Sequence, residues 1–143
     1  MIKLRAWTGK KMIYQDKQYL ASFIRRVVPE IIVDHGGEAF SQHEGYLPNG
    51  GVIDEYLTQF TGLTDKNDKE IYEGDILKVS YEATKFENFW LVEPIGSLER
   101  DGQYYGLCVS LNGNGNNYFI DQSILAGEVV GNIYEQPELL KSK

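Results

Sequence analysis

The segment Gln59-Phe60-Thr61-Gly62-Leu63-Thr64-Asp65-Lys66-Asn67-Asp68-Lys69-Glu70-Ile71-Tyr72-Glu73-Gly74-Asp75-Ile76-Leu77-Lys78-Val79-Ser80-Tyr81 carries the pattern on which the fold turns. At its end, Leu77, Val79 and Tyr81 alternate with Lys78, Ser80 and Glu82. That is the spacing of a strand with one face buried. Glu73-Gly74-Asp75 interrupts the apolar run just before it. Gly74 permits a sharp turn, and a short acidic side chain satisfies backbone donors there. Asp65-Lys66-Asn67-Asp68-Lys69 is a polar turn between two apolar segments. The segment therefore reads as short strands joined by tight turns.

The same grammar extends on both sides. Val52 to Phe60 reads as a strand upstream, with a short helix as the alternative. Phe86 to Val92, Gln103 to Leu111 and Glu128 to Tyr134 read as strands downstream. Asp101-Gly102 marks a turn, and Asn112-Gly113-Asn114-Gly115-Asn116-Asn117 a flexible tip. Pro137 suits the first turn of a short helix over 138–143. Near the start, Ile2, Leu4 and Ala6 alternate with Lys3, Arg5 and Trp7, and Met12 to Tyr14 forms a second short strand after the turn Gly9-Lys10-Lys11. Leu20, Phe23, Ile24, Val27 and Val28 then mark one stripe of a helix running from Asp16 to Val28. Pro29 is expected to end it, because proline disfavours helical geometry at the residue before it. Residues 34–51, rich in glycine, read as a long loop. No internal repeat is present. The expected fold is mainly β (α+β): a small partly open β-barrel with an N-terminal strand-helix attachment. One domain is expected over 1–143, with 1–51 as the α/β segment and loop and 52–143 as the barrel-like body.

Composition narrows the class further. The 143 residues include 14 basic and 21 acidic side chains, a net charge of −7, with 42% hydrophobic residues. Such a chain builds a core of its own, which excludes disorder as its main description. Cys108 is the only cysteine, so a disulfide scaffold is excluded. No apolar run reaches the length of a membrane span, and Met1 to Trp7 lacks the apolar core of a signal peptide. A cytoplasmic protein is expected. Residues 1–26 hold seven basic side chains and one acid, a net +6, which leaves −13 on the remainder.

Three blocks of sequence carry a family resemblance. They are Leu4-Arg5-Ala6-Trp7 with Met12; the segment from Gln59 to Leu77 quoted above; and Val129-Val130-Gly131-Asn132-Ile133-Tyr134-Glu135-Gln136-Pro137-Glu138-Leu139-Leu140. Their order and wording resemble the YopX family of small bacteriophage and prophage proteins. The stretches 13–51 and 82–127 carry no such wording. Asp68 departs from the glycine that family members commonly place after Asn67, which puts the turn type in question and leaves the fold untouched. The resemblance implies a mainly β fold with SH3-like barrel character and a phage or prophage origin in a bacterial cytoplasm. It brings no activity and no catalytic residues.

The chemistry motifs are sparse. His35 and His43 are the only histidines, beside Asp34 and Glu44, and would be the centre of any hydrolase. Neighbours in sequence are weak evidence for such a site, and solvated loop histidines are the simpler reading. One cysteine cannot anchor a zinc cluster. The run Asp65 to Glu70 lacks the glycine and glutamate of a calcium loop, since Glu70 and Ile76 occupy those places. The run Gly113 to Tyr118 lacks the third glycine of a dinucleotide fingerprint. No metal, cofactor or catalytic residue is assigned.

The expected function is therefore a non-enzymatic phage accessory protein that offers an acidic, tyrosine-rich surface to a host or phage protein. Arg5, Trp7, Asp65, Glu73, Asp75, Tyr134 and Glu135 are its candidate contacts. The alternative is a nucleic-acid-binding protein that uses the basic segment Lys10 to Arg26, with Lys17, Arg25 and Arg26 as contacts. The second alternative is the hydrolase around His35 and His43. A homo-oligomer is also expected, because exposed strand edges need cover.

Overall fold

A computed structural model of the chain describes residues 3–35, 56–81, 86–93, 98–100, 103–105, 108–114, 117–120 and 122–140. Among these, 35, 81, 86, 98–100, 103–105, 117, 119, 122 and 123 are described by backbone alone. The protein is mainly β, with a curled half-barrel sheet and one long helix. It divides into two compact units, Met1–Gln59 and Phe60–Lys143.

In the first unit, β1 (Leu4–Trp7) and β2 (Met12–Tyr14) form a hairpin that pairs Arg5 with Tyr14 and Trp7 with Met12. The turn closes through Thr8 N donating to Lys11 O at 3.0 Å. The first residues of β3 (Leu57–Thr64) join the other side of β1, pairing Leu57 with Ala6 and Gln59 with Leu4. The helix α1 (Leu20–His35) contributes Phe23, Val27 and Ile31 to a core shared with Ala6 and Ile13.

Both expected ends of this helix shift. Asp16 has φ 55°, a left-handed turn that an acidic side chain tolerates, so the helix starts at Leu20 and not at Asp16. At the other end α1 runs through Pro29 to His35. Proline forfeits one backbone bond and crowds the preceding turn. Ile31, fully buried two residues further on, contributes roughly 1.5–3 kcal/mol by leaving water. Three side-chain contacts fasten the same end. Thr8 Oγ1 donates to Asp34 Oδ2, Lys11 Nζ meets Glu30 Oε2 at 2.8 Å, and Ile32 packs half-buried on the core. Asp34 and His35 are thus helical and not loop residues. The rest of the expected loop, 36–51, lies outside the described residues.

Strand β1 also departs from simple alternation. Arg5 is as buried as Ala6, at 1% and 0% exposure, so both faces of the strand are covered. A buried guanidinium persists only where hydrogen bonds and opposite charge compensate it. Its Nε donates to Thr58 Oγ1 at 3.0 Å.

In the second unit, the later part of β3 pairs with β4 (Glu70–Tyr72), placing Phe60 opposite Tyr72 and Thr64 opposite Glu70. The polar turn between them is where the sequence places it. Asp68 adopts φ 62°, a geometry that aspartate tolerates better than most side chains. The half-barrel follows from β5 (Asp75–Tyr81), β6 (Phe86–Val92), β9 (Cys108–Leu111), β10 (Asn117–Phe119) and β11 (Glu128–Asn132), all antiparallel in the order β10-β9-β6-β5-β11. Leu77, Val79, Val92, Val109, Ile71 and Ile124 fill its core.

On β5 the expected alternation holds from Leu77 to Ser80, with Leu77 and Val79 buried, Lys78 half-buried and Ser80 exposed, while Ile76 at the start of the strand is buried as well. The elements that follow differ from the expected ones. The expected strand Gln103 to Leu111 is two strands. β8 (Gln103–Tyr105) pairs with β7 (Leu98–Arg100) in a separate ribbon, while β9 joins the main sheet. A short helix α2 (Gln122–Leu125) brings Ile124 into the core. The closing strand ends at Asn132, and Ile133 and Tyr134 form a turn. Pro137–Leu140 is a single 3-10 turn that lies against β6.

Candidate functional site

Two turns of the second unit lie side by side and hold most of the expected acidic contacts. The first is Glu73-Gly74-Asp75, between β4 and β5. Gly74 has φ 87°, which a side chain would strain. Its N–H donates to Val92 O at 2.7 Å, and its C=O accepts Ile133 N at 2.8 Å. Asp75 is 2% exposed, and its Oδ2 closes the turn by accepting Tyr72 N at 2.8 Å.

The second turn, Asn132 to Gln136, starts opposite Asp75 in the ladder. Asn132 organises it. Its Oδ1 accepts Tyr134 N at 3.0 Å and Glu135 N at 2.9 Å, and its Nδ2 donates to Glu135 Oε1 at 2.8 Å. Gln136 completes the ring, its Oε1 accepting Asn132 N at 3.0 Å and its N donating to Asn132 O at 2.9 Å. An asparagine that bonds the backbone two and three residues on is a local turn former. Toward the surface the two turns present Ile133 at 36% exposure, the exposed Glu135, and the half-buried Glu73 and Tyr134.

Asp65 sits elsewhere in the unit and is buried. Its Oδ1 accepts Asn67 N at 2.8 Å and Lys69 N at 2.9 Å, and its Oδ2 accepts Val129 N at 2.8 Å. Burial alone pushes this carboxyl up. The three backbone N–H donors and the charge of Lys69 outweigh it and hold the group below the usual carboxylate range.

The expected contact residues therefore separate. Glu73, Tyr134 and Glu135 come together at the surface. Asp65 and Asp75 face inward and serve the backbone. In the first unit Arg5 is buried and Trp7 half-buried on β1, while Lys17, Arg25 and Arg26 are exposed. Arg26 Nη1 donates to Gln18 Oε1 at 2.9 Å. The side chain of His35 and all of His43 lie outside the described residues. Among the described residues, no group of three His, Cys, Asp or Glu side chains gathers as a metal site, and no helix is long and apolar enough to cross a membrane. Sequence reading missed Asn132 and Gln136 as the frame of the second turn; the asparagine before Ile133-Tyr134-Glu135 was the available signal.

The turn Glu73-Gly74-Asp75 and the turn after Asn132 bring two of the three quoted sequence blocks into contact, and a family model described as "YopX protein" matches residues 3–141. The chain belongs to the YopX family. Among solved structures, the chain is similar to the crystal structure of protein EF1440 from Enterococcus faecalis, at 20% identity over 99% of each chain, with a TM-score of 0.47. No curated protein matches the chain.

Proposed function

We propose that this YopX protein is a non-enzymatic interaction module of phage or prophage origin, which acts in a bacterial cytoplasm and docks its paired acidic turns onto a basic site of a partner protein. The observation that supports this reading is the juxtaposition of Glu73 with Ile133, Tyr134 and Glu135 through the Ile133 N to Gly74 O bond. Carboxylates that surround an apolar residue and a tyrosine form a contact surface with an attractive rim and a dry centre. Charge placement favours it as well. The first unit has seven basic and seven acidic residues, whereas the second has seven basic and fourteen acidic, so the net −7 belongs to the second unit. The test is capture of a basic partner from host lysate, with binding that weakens as salt rises. Glu73→Lys combined with Glu135→Lys abolishes the capture if the reading holds. Unchanged capture by that variant rejects it.

A second reading rests on the first unit. Tyr19 is 86% exposed and Tyr14 44%, on the same stretch as the exposed Lys17, Arg25 and Arg26. Exposed tyrosines among cations suit stacking on single-stranded nucleic acid. A mobility assay with single-stranded DNA tests this. Binding that survives charge reversal at Lys17, Arg25 and Arg26 eliminates it.

A further inference from the structure

A turn that presents a docking surface loses freedom on binding unless something already holds it. In the second unit the turn Asn132 to Gln136 runs directly into the 3-10 turn Pro137–Leu140. None of the four residues is buried, but Leu139 and Leu140 are half-buried. They seat on the face of the sheet opposite the main core. Leu77 belongs to that core, so its neighbour Ile76 points the other way, together with Leu91, the cross-strand partner of Ile76. Ile76 and Leu91 are both buried.

Two glycines form the seat. Gly131 lies opposite Ile76 in the ladder. A Cβ there would stand 2.5 Å from Gln136 Oε1 and 3.2 Å from Leu139 Cδ1. A Cβ on Gly113, in the turn after β9, would stand 3.2 Å from Leu140 Cδ1 and 3.6 Å from Leu91 Cδ2. Each leucine thus rests where a side chain on the sheet would displace it. Leu139 N donates to Gln136 O at 3.1 Å, and Pro137 restricts the backbone between them. Gln136 in turn makes both bonds to the Asn132 backbone, and Asn132 Oδ1 accepts Tyr134 N and Glu135 N. A continuous run of contacts therefore joins Leu140 to the acidic turn.

We propose that Pro137–Leu140 is a latch: Leu139 and Leu140 anchor it to the sheet, and through Gln136 and Asn132 it holds Tyr134 and Glu135 in the geometry that meets a partner. The docking role rests on the acidic-turn reading above, whereas the holding stands apart from it. Leu139 and Leu140 are positioning residues. Their removal leaves Glu73, Glu135 and the net charge unchanged, so binding lost with them is lost through geometry and preorganisation.

Backbone NMR relaxation of the full chain tests the latch. In the wild type, Tyr134 and Glu135 have order parameters near the rigid value of about 0.85. In Leu139→Ala combined with Leu140→Ala they fall below about 0.6, while Asn67 and Lys69, held by Asp65, stay rigid. Leu139→Met combined with Leu140→Met keeps the volume and restores rigidity. Leu140→Ala alone lowers the same two values by a smaller step, which decides the matter if the double variant unfolds. At low salt the double alanine variant also binds an oligo-arginine peptide at least about fivefold more weakly than the wild type. Order parameters at Tyr134 and Glu135 that stay at the wild-type level in the alanine variants overturn the proposal. So does an equal fall at Asn67 and Lys69, which would make the leucines supports of the whole unit, and so does equal peptide binding by wild type and double variant. A wild type that ignores the peptide at every salt concentration rejects the acidic-turn reading instead, and the relaxation data still decide the holding.

Discussion

Asp65 Oδ2 accepts the backbone N–H of Val129 at 2.8 Å across 64 positions of sequence, while Asp65 Oδ1 holds the two N–H groups of its own turn. One carboxylate thus shapes a hairpin and fastens the final strand. Asp65→Ala leaves three donors without it and lowers stability by about 2–4 kcal/mol, since bonds to charged acceptors contribute more than neutral ones. Urea denaturation measures the loss. Asp65→Asn, which keeps one acceptor oxygen, loses less.

The same carboxylate sets an acid limit. Its pKa is depressed in the folded protein, so the folded state favours the ionised form. The resulting stability is complete well above the unfolded carboxylate pKa of about 3.9 and is lost as pH falls through the folded value. Below about pH 4 the wild-type stability falls more steeply than that of Asp65→Asn, which has nothing to protonate there. Parallel curves for the two proteins would contradict the assignment.

Pro29 lies within α1 and is exposed. Pro29→Ala restores a backbone donor and removes the steric conflict with the preceding turn, so it stabilises the protein by about 1–3 kcal/mol. Ile31→Ala, in the turn that follows, destabilises it by about 2–4 kcal/mol. If the helix ended at Val28, both changes would be nearly silent in thermal denaturation.

Gly127 and Gly62 predict two different penalties. A Cβ at Gly127 would lie 2.5 Å from Lys78 O and 2.9 Å from Val79 Cγ2, so Gly127→Ala must displace β5 backbone. It costs about 1–3 kcal/mol through overpacking. Gly62 has open space around that position but φ 86°, so Gly62→Ala costs only about 1 kcal/mol, all of it conformational. Paired chemical denaturation curves rank the two.

The split between inward and outward acids separates folding from binding. Glu73→Lys destabilises the protein less than loss of Asp75, because Glu73 is half-buried and Asp75 is buried. Asp75→Ala removes the acceptor of Tyr72 N inside a buried turn and destabilises by about 1–3 kcal/mol. A large destabilisation by Glu73→Lys would mean that this side chain supports the turn.

Local chemistry alone determined a good deal of this protein. The polar turn at Asp65 to Lys69, the strand at Phe86 to Val92 and the stripe Phe23, Val27 were legible, because turn residues and apolar spacing act over a few positions. So was the family, through three short blocks of sequence. Tertiary structure decided the rest. Arg5 reads as an outward residue of an alternating strand, yet neighbours from distant sequence cover both faces of β1. The helix continues past Pro29 because the burial of Ile31 and Ile32 and the contacts of Glu30 and Asp34 together offset what the proline forfeits. Asp65 and Asp75 read as turn residues, and their bonds to Asn67, Lys69 and Tyr72 are local; only the arrival of Val129 gives Asp65 its long-range donor. Burial and long-range partners depend on which elements meet, and no local pattern contains that information.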